Sequence, residues 1–378
     1  MSPRIVQFGT SRFLQAHAAL FVHEARQAGQ DVGPITVVQV SGATSRSGRV
    51  KAFNHPDGYP VVIRGMSDGR PVDHKVQVTS VENGLSAAEH WEALATLFAT
   101  DAEFVISNTG DTGYQTSPED DGFDGKGEVP RSFPAKLAAL LFRRWLGSGR
   151  PLVILPCELI TANGRVLKQA VIECAQRNSS PTEFLAWLDE HVAFAETLVD
   201  RIVSEPIEPI GAVAEPYALW AIKRAPGVRP PCNHPSIILT DDLEPYERLK
   251  LHILNLGHTF LAEVWLRGNR PADETVCAIL ADDQIRQRLD TVYRNEVVPG
   301  FAARGMSNEA QAYIATTLDR FCNPFLNHRI VDISQHHVTK VDRRIRSFLE
   351  WADKAADRLS APVLREIAAR YPMEEATQ

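Results

Sequence analysis

Short runs of β-branched residues alternate with helical patterns of apolar residues through the first half of the chain. Such alternation is typical of a parallel sheet whose strands are joined by crossover helices. The pattern predicts strands at 4–8, 35–40, 59–64, 75–81, 103–107 and 152–156, and helices at 13–27, 87–100 and 134–146. We therefore expect a doubly wound α/β domain that carries an inserted antiparallel piece.

The second half of the chain has a different pattern. Glycine and proline become frequent between 206 and 245, and beyond this stretch almost no strand pattern is found. Thr240-Asp241-Asp242 offers candidate N-cap residues, and Pro245 suits a first helical turn, where no backbone donor is needed. The prediction is an α/β domain over 1–239 followed by a mainly α-helical domain over 240–378.

Composition narrows the class of protein. The chain of 378 residues has a net charge of −7, which argues against nucleic-acid binding through a global basic field. The N-terminus lacks a signal-peptide layout, and no apolar run approaches the ~20 residues that span a bilayer. Five scattered cysteines without a CxxC pair indicate reduced thiols in the cytoplasm. We expect a small-molecule partner and a monomer or small homo-oligomer.

The first predicted strand runs directly into a glycine turn and a helix, with the sequence Phe8-Gly9-Thr10-Ser11-Arg12-Phe13. A tight turn of this kind aims backbone N–H groups at the pyrophosphate of a dinucleotide. Only one glycine of the usual set is present, so an ordinary strand-to-helix turn is the alternative. The candidate cofactor-binding residues here are Phe8, Gly9, Ser11, Arg12 and Phe13.

The second predicted strand ends without an acidic residue to hold an adenosine ribose. Its end reads Val40-Ser41, and Arg46 and Arg49 follow. Ser41 with two arginines is a pattern that tolerates a 2′-phosphate, although arginines on a loop are more often solvated surface charges. We expect NAD as the cofactor, with NADP as the alternative.

The strongest single feature is Lys250-x4-Asn255-x2-His258, within a helix predicted from about 245 to 267. At α-helical spacing Asn255 lies about 140° and His258 about 80° around the axis from Lys250, so the three share one face. Gly257 beside them indicates close packing by a cofactor or a strand. The alternative is a surface lysine, a polar asparagine and a core histidine on an ordinary helix.

This trio suits the interconversion of a carbonyl and an alcohol. A desolvated lysine can exchange a proton with a hydroxyl group, and an asparagine amide can donate to the developing alkoxide while a hydride passes to a nicotinamide. We expect no metal, because the sequence shows no cluster of ligands with plausible spacing and the adjacent His336 and His337 point to different sides of an element. Asp200-Arg201, at the junction of the two domains, is a second candidate feature.

The stretch VDRI at 199–202 and the lysine, asparagine and histidine trio resemble the two diagnostic motifs of the mannitol dehydrogenase family, the polyol-specific long-chain dehydrogenases. Further segments resemble its uronate-reducing branch, the tagaturonate and fructuronate reductases. These segments are IVQFG at 5–9, DGYPVVIRG at 57–65, ISNT at 106–109, SFPAKL at 132–137, PCELI-x2-NG at 156–164 and RFCNP at 320–324.

The resemblance implies a Rossmann-type domain, a helical C-terminal domain, a cleft between them and metal-independent hydride transfer. It implies that Lys250 is the general acid and base, that Asn255 binds the oxyanion and that His258 orients the substrate. Asn108 and Thr109 are implied at the cofactor. The implied substrate positions are Glu158, Asn163, Asp200 and Lys340.

Two substitutions bear on the substrate. Glu158-Leu159 stands where the polyol enzymes of the family have Asp-Asn, and Asp332 aligns with a substrate-facing arginine of those enzymes, which favours a sugar acid over a polyol. Lys340 and Arg201 are the candidates for holding its carboxylate, although Glu158 and Asp332 would repel an anion. We expect altronate/tagaturonate or mannonate/fructuronate chemistry. The alternatives are a polyol dehydrogenase that acts on a hexitol or pentitol and a nucleotide-binding module without catalysis.

Overall fold

The computed structural model describes residues 4–41, 47–110, 112–118, 120, 129–355 and 358–372. The chain divides into two compact units, one built from 1–63 and 74–243 and the other from 64–73 and 244–378. The chain therefore enters the second unit twice. The short segment at 64–73 belongs there, and the sequence pattern did not indicate it.

The first unit alternates strands and helices in the first half of its length. Its elements are β1 (Ile5–Phe8), α1 (Arg12–Gln15), α2 (Ala18–Gln27), β2 (Ile35–Gln39), α3 (Ser47–Ala52), β3 (Tyr59–Ser67), β4 (Arg70–Val78), β5 (Val81–Ser86), α4 (Trp91–Thr100), β6 (Phe104–Ser107), α5 (Phe133–Leu146), β7 (Leu152–Pro156), α6 (Asn163–Arg177), α7 (Thr182–His191), β8 (Val192–Phe194), β9 (Thr197–Asp200), β10 (Val203–Pro206), β11 (Ala212–Ala214), β12 (Leu219–Lys223) and β13 (Ile237–Thr240).

The main sheet of this unit has the order β5-β2-β1-β6-β7-β8, and every pairing in it is parallel. Strands β1, β2, β6 and β7 are buried at every position, as expected when helices cover both faces of a parallel sheet. The predicted doubly wound α/β domain is confirmed. Strand order reverses around β1, so the carboxyl ends of β1, β2 and β6 meet at the switch point where ligands bind in such sheets.

Two smaller sheets complete the unit, in the orders β10-β11-β3-β4 and β13-β12-β9. The pattern predicted one strand at 75–81, but β4 ends at Val78 and β5 begins at Val81 in a different sheet. The single helix predicted at 13–27 is two helices in the structure, α1 and α2, because the helical conformation is interrupted around His17. The His17 ring is wholly buried against Phe13 and Phe21, and its Nε2 lies 3.0 Å from the Leu219 carbonyl.

After Leu243 every described element of the second unit is a helix, loops join the helices, and one isolated β-bridge pairs Thr275 with Arg329. Three of the helical segments described in this unit are π-helices, which we label π1 to π3. Its elements are α8 (Glu244–Leu249), π1 (Lys250–Asn255), α9 (Leu256–Arg267), α10 (Val276–Ile279), α11 (Asp283–Val292), π2 (Tyr293–Val297), α12 (Val298–Ala302), α13 (Ser307–Phe321), α14 (Ile330–Ser334), α15 (His337–Val341), π3 (Asp342–Arg346), α16 (Ser347–Asp353) and α17 (Pro362–Arg370).

A hydrophobic core of its own holds the second unit together. Wholly buried aliphatic and aromatic side chains from most of its helices meet there, including Phe260, Tyr293, Phe301 and Phe348. This confirms the predicted helical C-terminal domain. No helix in the described residues is both long enough and apolar enough to cross a membrane.

Candidate functional site

The turn after β1 requires glycine at position 9. Gly9 has φ +117°, and a Cβ there would lie 2.5 Å from the carbonyl oxygen of Asn108. The backbone on both sides is fixed, because Gly9 N–H donates to Val38 and Asn108 N–H donates to Phe8. The three strands β1, β2 and β6 thus hold a bare backbone turn at the switch point, where a ligand can approach closely.

A cleft of about 880 Å³ opens at this turn, within the first unit. Four arginines line the cleft, and its described lining contains no carboxylate. The lining residues are Gly9, Thr10, Ser11, Arg12, Phe13, Gln39, Val40, Ser41, Arg49, Asn108, Thr109, Gly110, Thr112, Gly113, Gln115, Arg131, Ser132, Phe133, Arg201 and Val203. Such a lining is suited to a ligand that carries several negative charges.

Most of the residues predicted at the cofactor lie in this cleft. Ser11 caps α1 by accepting a hydrogen bond from the Leu14 N–H, and Arg12 forms an ion pair of 2.7 Å with Glu208. Phe8 differs from the prediction. Its ring is wholly buried and packs against the ring of Phe133 at 5.3 Å, because strand alternation turns the side chain into the core. Arg46 lies outside the described residues.

Sequence reasoning missed part of the cleft wall. Arg49, one of the two arginines weighed for a 2′-phosphate, lines the cleft, and so do Arg131, Ser132 and Phe133, which the sequence did not indicate. Ser132 begins α5, where its hydroxyl accepts a hydrogen bond from the Ala135 N–H. A serine followed by a proline in the first helical turn is an N-terminus signal, and it could have pointed to this wall.

Glu158 is a buried carboxylate whose two oxygens are fully used. One oxygen accepts hydrogen bonds of 3.0 Å from both the N–H and the hydroxyl of Thr109, and the other accepts from Ser107 and Tyr114. Burial, together with this carboxylate, raises the pKa of Tyr114. Glu158 therefore binds the end of β6 and the loop after it. Both of its carboxylate oxygens already have partners, so the structure does not support the substrate contact predicted for Glu158. The anion repulsion expected from Glu158 is reduced accordingly.

Asn163 has an equally complete set of partners at the start of α6. Its Nδ2 donates to carbonyls of Pro156, Glu158 and Thr197, and its Oδ1 accepts from the Thr197 and Gly164 N–H groups. The side chain is 1% exposed. Asn163 connects the last residue of β7 to the first residue of β9. Its role in the structure is therefore to hold these strands, rather than the substrate contact predicted for it.

Asp200 is the last residue of β9 and Arg201 follows it, and both are buried. Arg201 directs all three guanidinium nitrogens to backbone carbonyls, those of Ala16 and Glu215, at 2.7–3.0 Å. Burial lowers the pKa of Arg201 to about 10. Its donors are therefore engaged by the backbone, and the structure does not support the substrate-carboxylate contact predicted for Arg201. Asp200 lies opposite Leu219 in the pairing of β9 with β12.

In the second unit, Lys250 and Asn255 are the first and last residues of π1. The continuous helix predicted over 245–267 is present, but π1 interrupts its α-helical part. In a π-helix the backbone hydrogen bonds run from i to i+5, so residues five apart lie one turn apart. The angle around the helix axis between Lys250 and Asn255 is therefore smaller than the roughly 140° expected in an α-helix.

Partners from other helices satisfy the carbonyls of π1. The Tyr293 hydroxyl donates to the Ile253 carbonyl at 2.9 Å, and the Asn255 carbonyl accepts from the Thr259 hydroxyl and from Arg344 Nη1. A Cβ on Gly257 would overlap the Tyr293 hydroxyl. The close neighbour predicted for Gly257 is thus a tyrosine of the same unit and not a cofactor or a strand.

His258 is buried beneath this turn. Its ring packs against Phe321 at 4.4 Å and edge-on to His328 at 4.8 Å. Its Nε2 has no hydrogen-bond partner among the described residues. Burial, reinforced by the positive potential of His328 and Arg344, holds the pKa of His258 well below its usual value. The imidazole is therefore neutral at physiological pH.

Lys340 and Asp332 lie in the same unit as the trio. Lys340 Nζ donates to the Ile333 carbonyl at 2.7 Å, and burial and then Arg344 lower its pKa. Asp332 forms a two-pronged ion pair with Arg329, each contact 3.1 Å long. Arg329 offsets the negative charge of Asp332, so the repulsion of an anion that was expected from Asp332 is weakened.

The adjacent histidines face different environments, as the sequence predicted. His337 is buried with its Nε2 3.0 Å from Glu263, while His336 is exposed at the N-cap of α15. Among the residues that the structure describes, no group of three or more His, Cys, Asp or Glu side chains is placed to hold a metal ion.

Two family models match the chain. The model described as the mannitol dehydrogenase Rossmann domain matches residues 3–232, and the model described as the mannitol dehydrogenase C-terminal domain matches residues 242–372. Together they cover both units.

Curated relatives are similar over most of the chain. Altronate oxidoreductase of Halalkalibacterium halodurans is 34% identical over 90% of this chain and 69% of its own. Proteins of the same name from Enterobacter sp. and Bacillus subtilis are 29% and 28% identical, over 97% and 93% of this chain and 78% and 75% of their own.

Solved structures share the fold. A D-sorbitol dehydrogenase in substrate-free form superposes with a TM-score of 0.76, and Pseudomonas fluorescens mannitol 2-dehydrogenase, solved with NAD and D-mannitol, with 0.67. Each is 19% identical to this chain. Each match covers 94% of this chain, with 77% and 78% of the other chains.

Proposed function

The chain is an oxidoreductase of the mannitol dehydrogenase family, and from this premise we propose that it transfers a hydride between a nicotinamide cofactor and a sugar acid. The proposed pairs are altronate with tagaturonate and mannonate with fructuronate. The observation that carries the proposal is π1, which begins at Lys250 and ends at Asn255, and whose last carbonyl accepts a hydrogen bond from Arg344. This arrangement suits the proton transfer that accompanies oxidation of an alcohol.

The cleft at Gly9 meets the requirements of a dinucleotide. Gly9 leaves the turn without a side chain, since a Cβ there would overlap the Asn108 carbonyl oxygen, and the described lining offers guanidinium groups and hydroxyls but no carboxylate. We therefore assign the pyrophosphate to Gly9, Ser11 and Arg12, and the ribose end to Ser41 and Arg49. When bound, the nicotinamide supplies or accepts the hydride. We expect NAD to serve, with NADP within about tenfold in kcat/KM, or ~1.4 kcal/mol.

The proposed proton path uses groups of the second unit. The Lys250 amine takes the proton of the substrate hydroxyl as the C–H hydride leaves, and in reduction the ammonium returns the proton to the carbonyl oxygen. The Asn255 amide donates a hydrogen bond to that oxygen as negative charge develops on it. His258, kept neutral by burial, orients the substrate without adding a charge.

The named relatives support a sugar acid as substrate. Three proteins called altronate oxidoreductase are similar to this chain over at least nine-tenths of its length. The residues around Lys340 also favour an anion, because Asp332 is already paired with Arg329. We place the enzyme in the cytoplasm, where its five thiols, none of which forms a disulfide, would remain reduced.

The test is a substrate panel with both cofactors. We expect kcat/KM for altronate or mannonate to exceed that for altritol, mannitol and arabinitol by at least tenfold, because a polyol leaves the basic groups without an anion. Activity should survive dialysis against a strong chelator. A neutral polyol that outperforms both hexonates by tenfold or more would establish a polyol dehydrogenase instead.

A further inference from the structure

Two cations of the second unit, Lys340 in α15 and Arg344 in π3, have no ion-pair partner in the described part of the chain. Among the described residues, Lys340 Nζ donates to the Ile333 carbonyl alone. Arg344 uses one nitrogen, Nη1, which donates to the Asn255 carbonyl and the Thr259 hydroxyl. Both side chains are partly buried. At least three of their N–H donors have no acceptor among the described residues.

The groups around these two cations are also basic or neutral. In addition to burial, the positive charge of Lys340 lowers the pKa of both His258 and His328. Arg344 and the buried Arg320 lower the pKa of His258 as well. Burial lowers the pKa of both Lys340 and Arg344, and Arg344 lowers that of Lys340 further.

Neighbouring carboxylates are engaged elsewhere. Asp332 faces His328 and is paired with Arg329, and Asp342 is paired with Arg346. Glu263, beyond His337, accepts hydrogen bonds from His337, Arg370 and Tyr371. An anion supplied from solution would therefore be the partner that offsets this charge.

Placing two like charges together in a partly buried position is unfavourable unless an anion joins them. We propose that Lys340 and Arg344 bind the carboxylate of the sugar acid, and that Arg344 selects acids over neutral polyols. A guanidinium with free donors matches a carboxylate in a two-pronged contact. Since Arg344 also holds the Asn255 carbonyl, the bound acid group lies one side chain away from π1. This inference rests on the proposed function.

The experiment compares Arg344→Gln with a matched control, Arg343→Gln. Arg343 is the preceding residue of π3, is exposed, and has the same charge. We expect Arg344→Gln to lower kcat/KM for altronate by about 30-fold or more, mainly through KM, because a charge-assisted contact contributes about 2 kcal/mol. Its kcat/KM for altritol, the polyol of the same configuration, should change by less than about threefold. Arg343→Gln should leave both values near those of the wild type.

A purely structural role of Arg344, through its hydrogen bond to Asn255, predicts another outcome. Arg344→Gln would then lower activity on altronate and altritol alike, and this result would overturn the proposal. Lys340→Met and Arg344→Lys provide the comparison if Arg344→Gln does not fold. The first should lose altronate activity selectively, and the second should keep part of it.

Direct binding separates this proposal from the proposed function. With reduced cofactor present to prevent turnover, altronate should raise the melting temperature of the wild type and of Arg343→Gln, but not of Arg344→Gln. If altritol is the better substrate while this pattern of altronate binding persists, the proposed function fails and the anion site stands. If the wild type does not bind altronate, the anion site is disproved.

Discussion

At the scale of single residues, the hydrogen bonds of Glu158 have a direct consequence for cofactor binding. Its carboxylate accepts from Ser107, Tyr114 and both donors of Thr109, and Thr109 lines the cleft. Glu158→Gln replaces one acceptor with an NH2 donor that faces these groups. We expect the free energy of unfolding to fall by about 2 kcal/mol, measured in denaturant.

The same variant should bind NADH more weakly in a fluorescence titration, because the loop that carries Thr109 loses its anchor. Glu82→Gln, at an exposed position of the same unit, is the control and should change neither quantity. Native stability and native NADH affinity in Glu158→Gln would show that the carboxylate has no such anchoring role.

Lys250 is the residue to which the mechanism assigns proton transfer. Lys250→Met removes the acid and base while leaving the apolar part of the side chain, so we expect kcat to fall by about 10² or more. Circular dichroism and NADH affinity should match the wild type. Lys354→Met, an exposed lysine of the same unit, is the control. A Lys250→Met enzyme with near-native turnover would refute the assignment.

At the scale of elements, Gly257 and Tyr293 form a pair that maintains π1. A methyl group at 257 would overlap the Tyr293 hydroxyl, which donates to Ile253 within π1. We expect Gly257→Ala to lower both stability and kcat, measured by thermal unfolding and by turnover.

The double variant Gly257→Ala/Tyr293→Phe tests the cause. Removing the hydroxyl relieves the overlap, so the double variant should be more stable than Gly257→Ala alone, with a coupling of about 1 kcal/mol or more. Additive effects of the two substitutions would show that Tyr293 is not the group that excludes a side chain at 257.

Sequence periodicity predicted the helix around Lys250 but not π1. The capping signals and apolar residues over 245–267 indicate a helix, and in the structure α9 is buried on all sides from Leu256 to Glu263. Two carbonyls of the π-helical turn accept hydrogen bonds from Tyr293 and Arg344, which lie 40 and 89 residues away along the chain. No local pattern contains this information. The same reason explains why the trio was found while the basic residues Arg320 and Arg344 were missed.

Strands show a similar division. The parallel strands β1, β2, β6 and β7 were predicted because burial on both faces makes them continuously apolar. The strands between 192 and 240 were not, because many of them lie among glycines and prolines that interrupt the apolar pattern. Their pairing partners are distant in sequence, as β11 pairs with β3.

At the scale of the whole molecule, buried histidines in both units contribute to the response to acid. Burial lowers the pKa of His17 to about 3 and of His252 to about 4, and holds that of His258 well below its usual value. In the unfolded chain these groups titrate near pH 6.5. The unfolded state therefore takes up protons first, and stability falls as the pH drops below about 6.5.

We expect each of the three histidines to cost about 2 kcal/mol between pH 6.5 and pH 5, at ~1.4 kcal/mol per pH unit. Denaturant unfolding at pH 7 and pH 5 measures the total. The loss of unfolding free energy between pH 7 and pH 5 should be smaller in His252→Gln than in the wild type, by about the amount that one histidine contributes. Equal stability of the wild type at the two pH values would contradict this account.

The segment 64–73 has a consequence for recombination between relatives. It lies far from 244–378 in the chain but belongs to the same unit, where Gly69 N–H donates to Asp319, Asn323 donates to the Arg64 carbonyl, and the Arg64 guanidinium lies over the Phe325 ring. A chimaera with a single junction near 243 would combine this segment with a foreign C-terminal half at all three contacts. An exchange of the whole second unit therefore requires three junctions, one near 243 and two that flank 64–73.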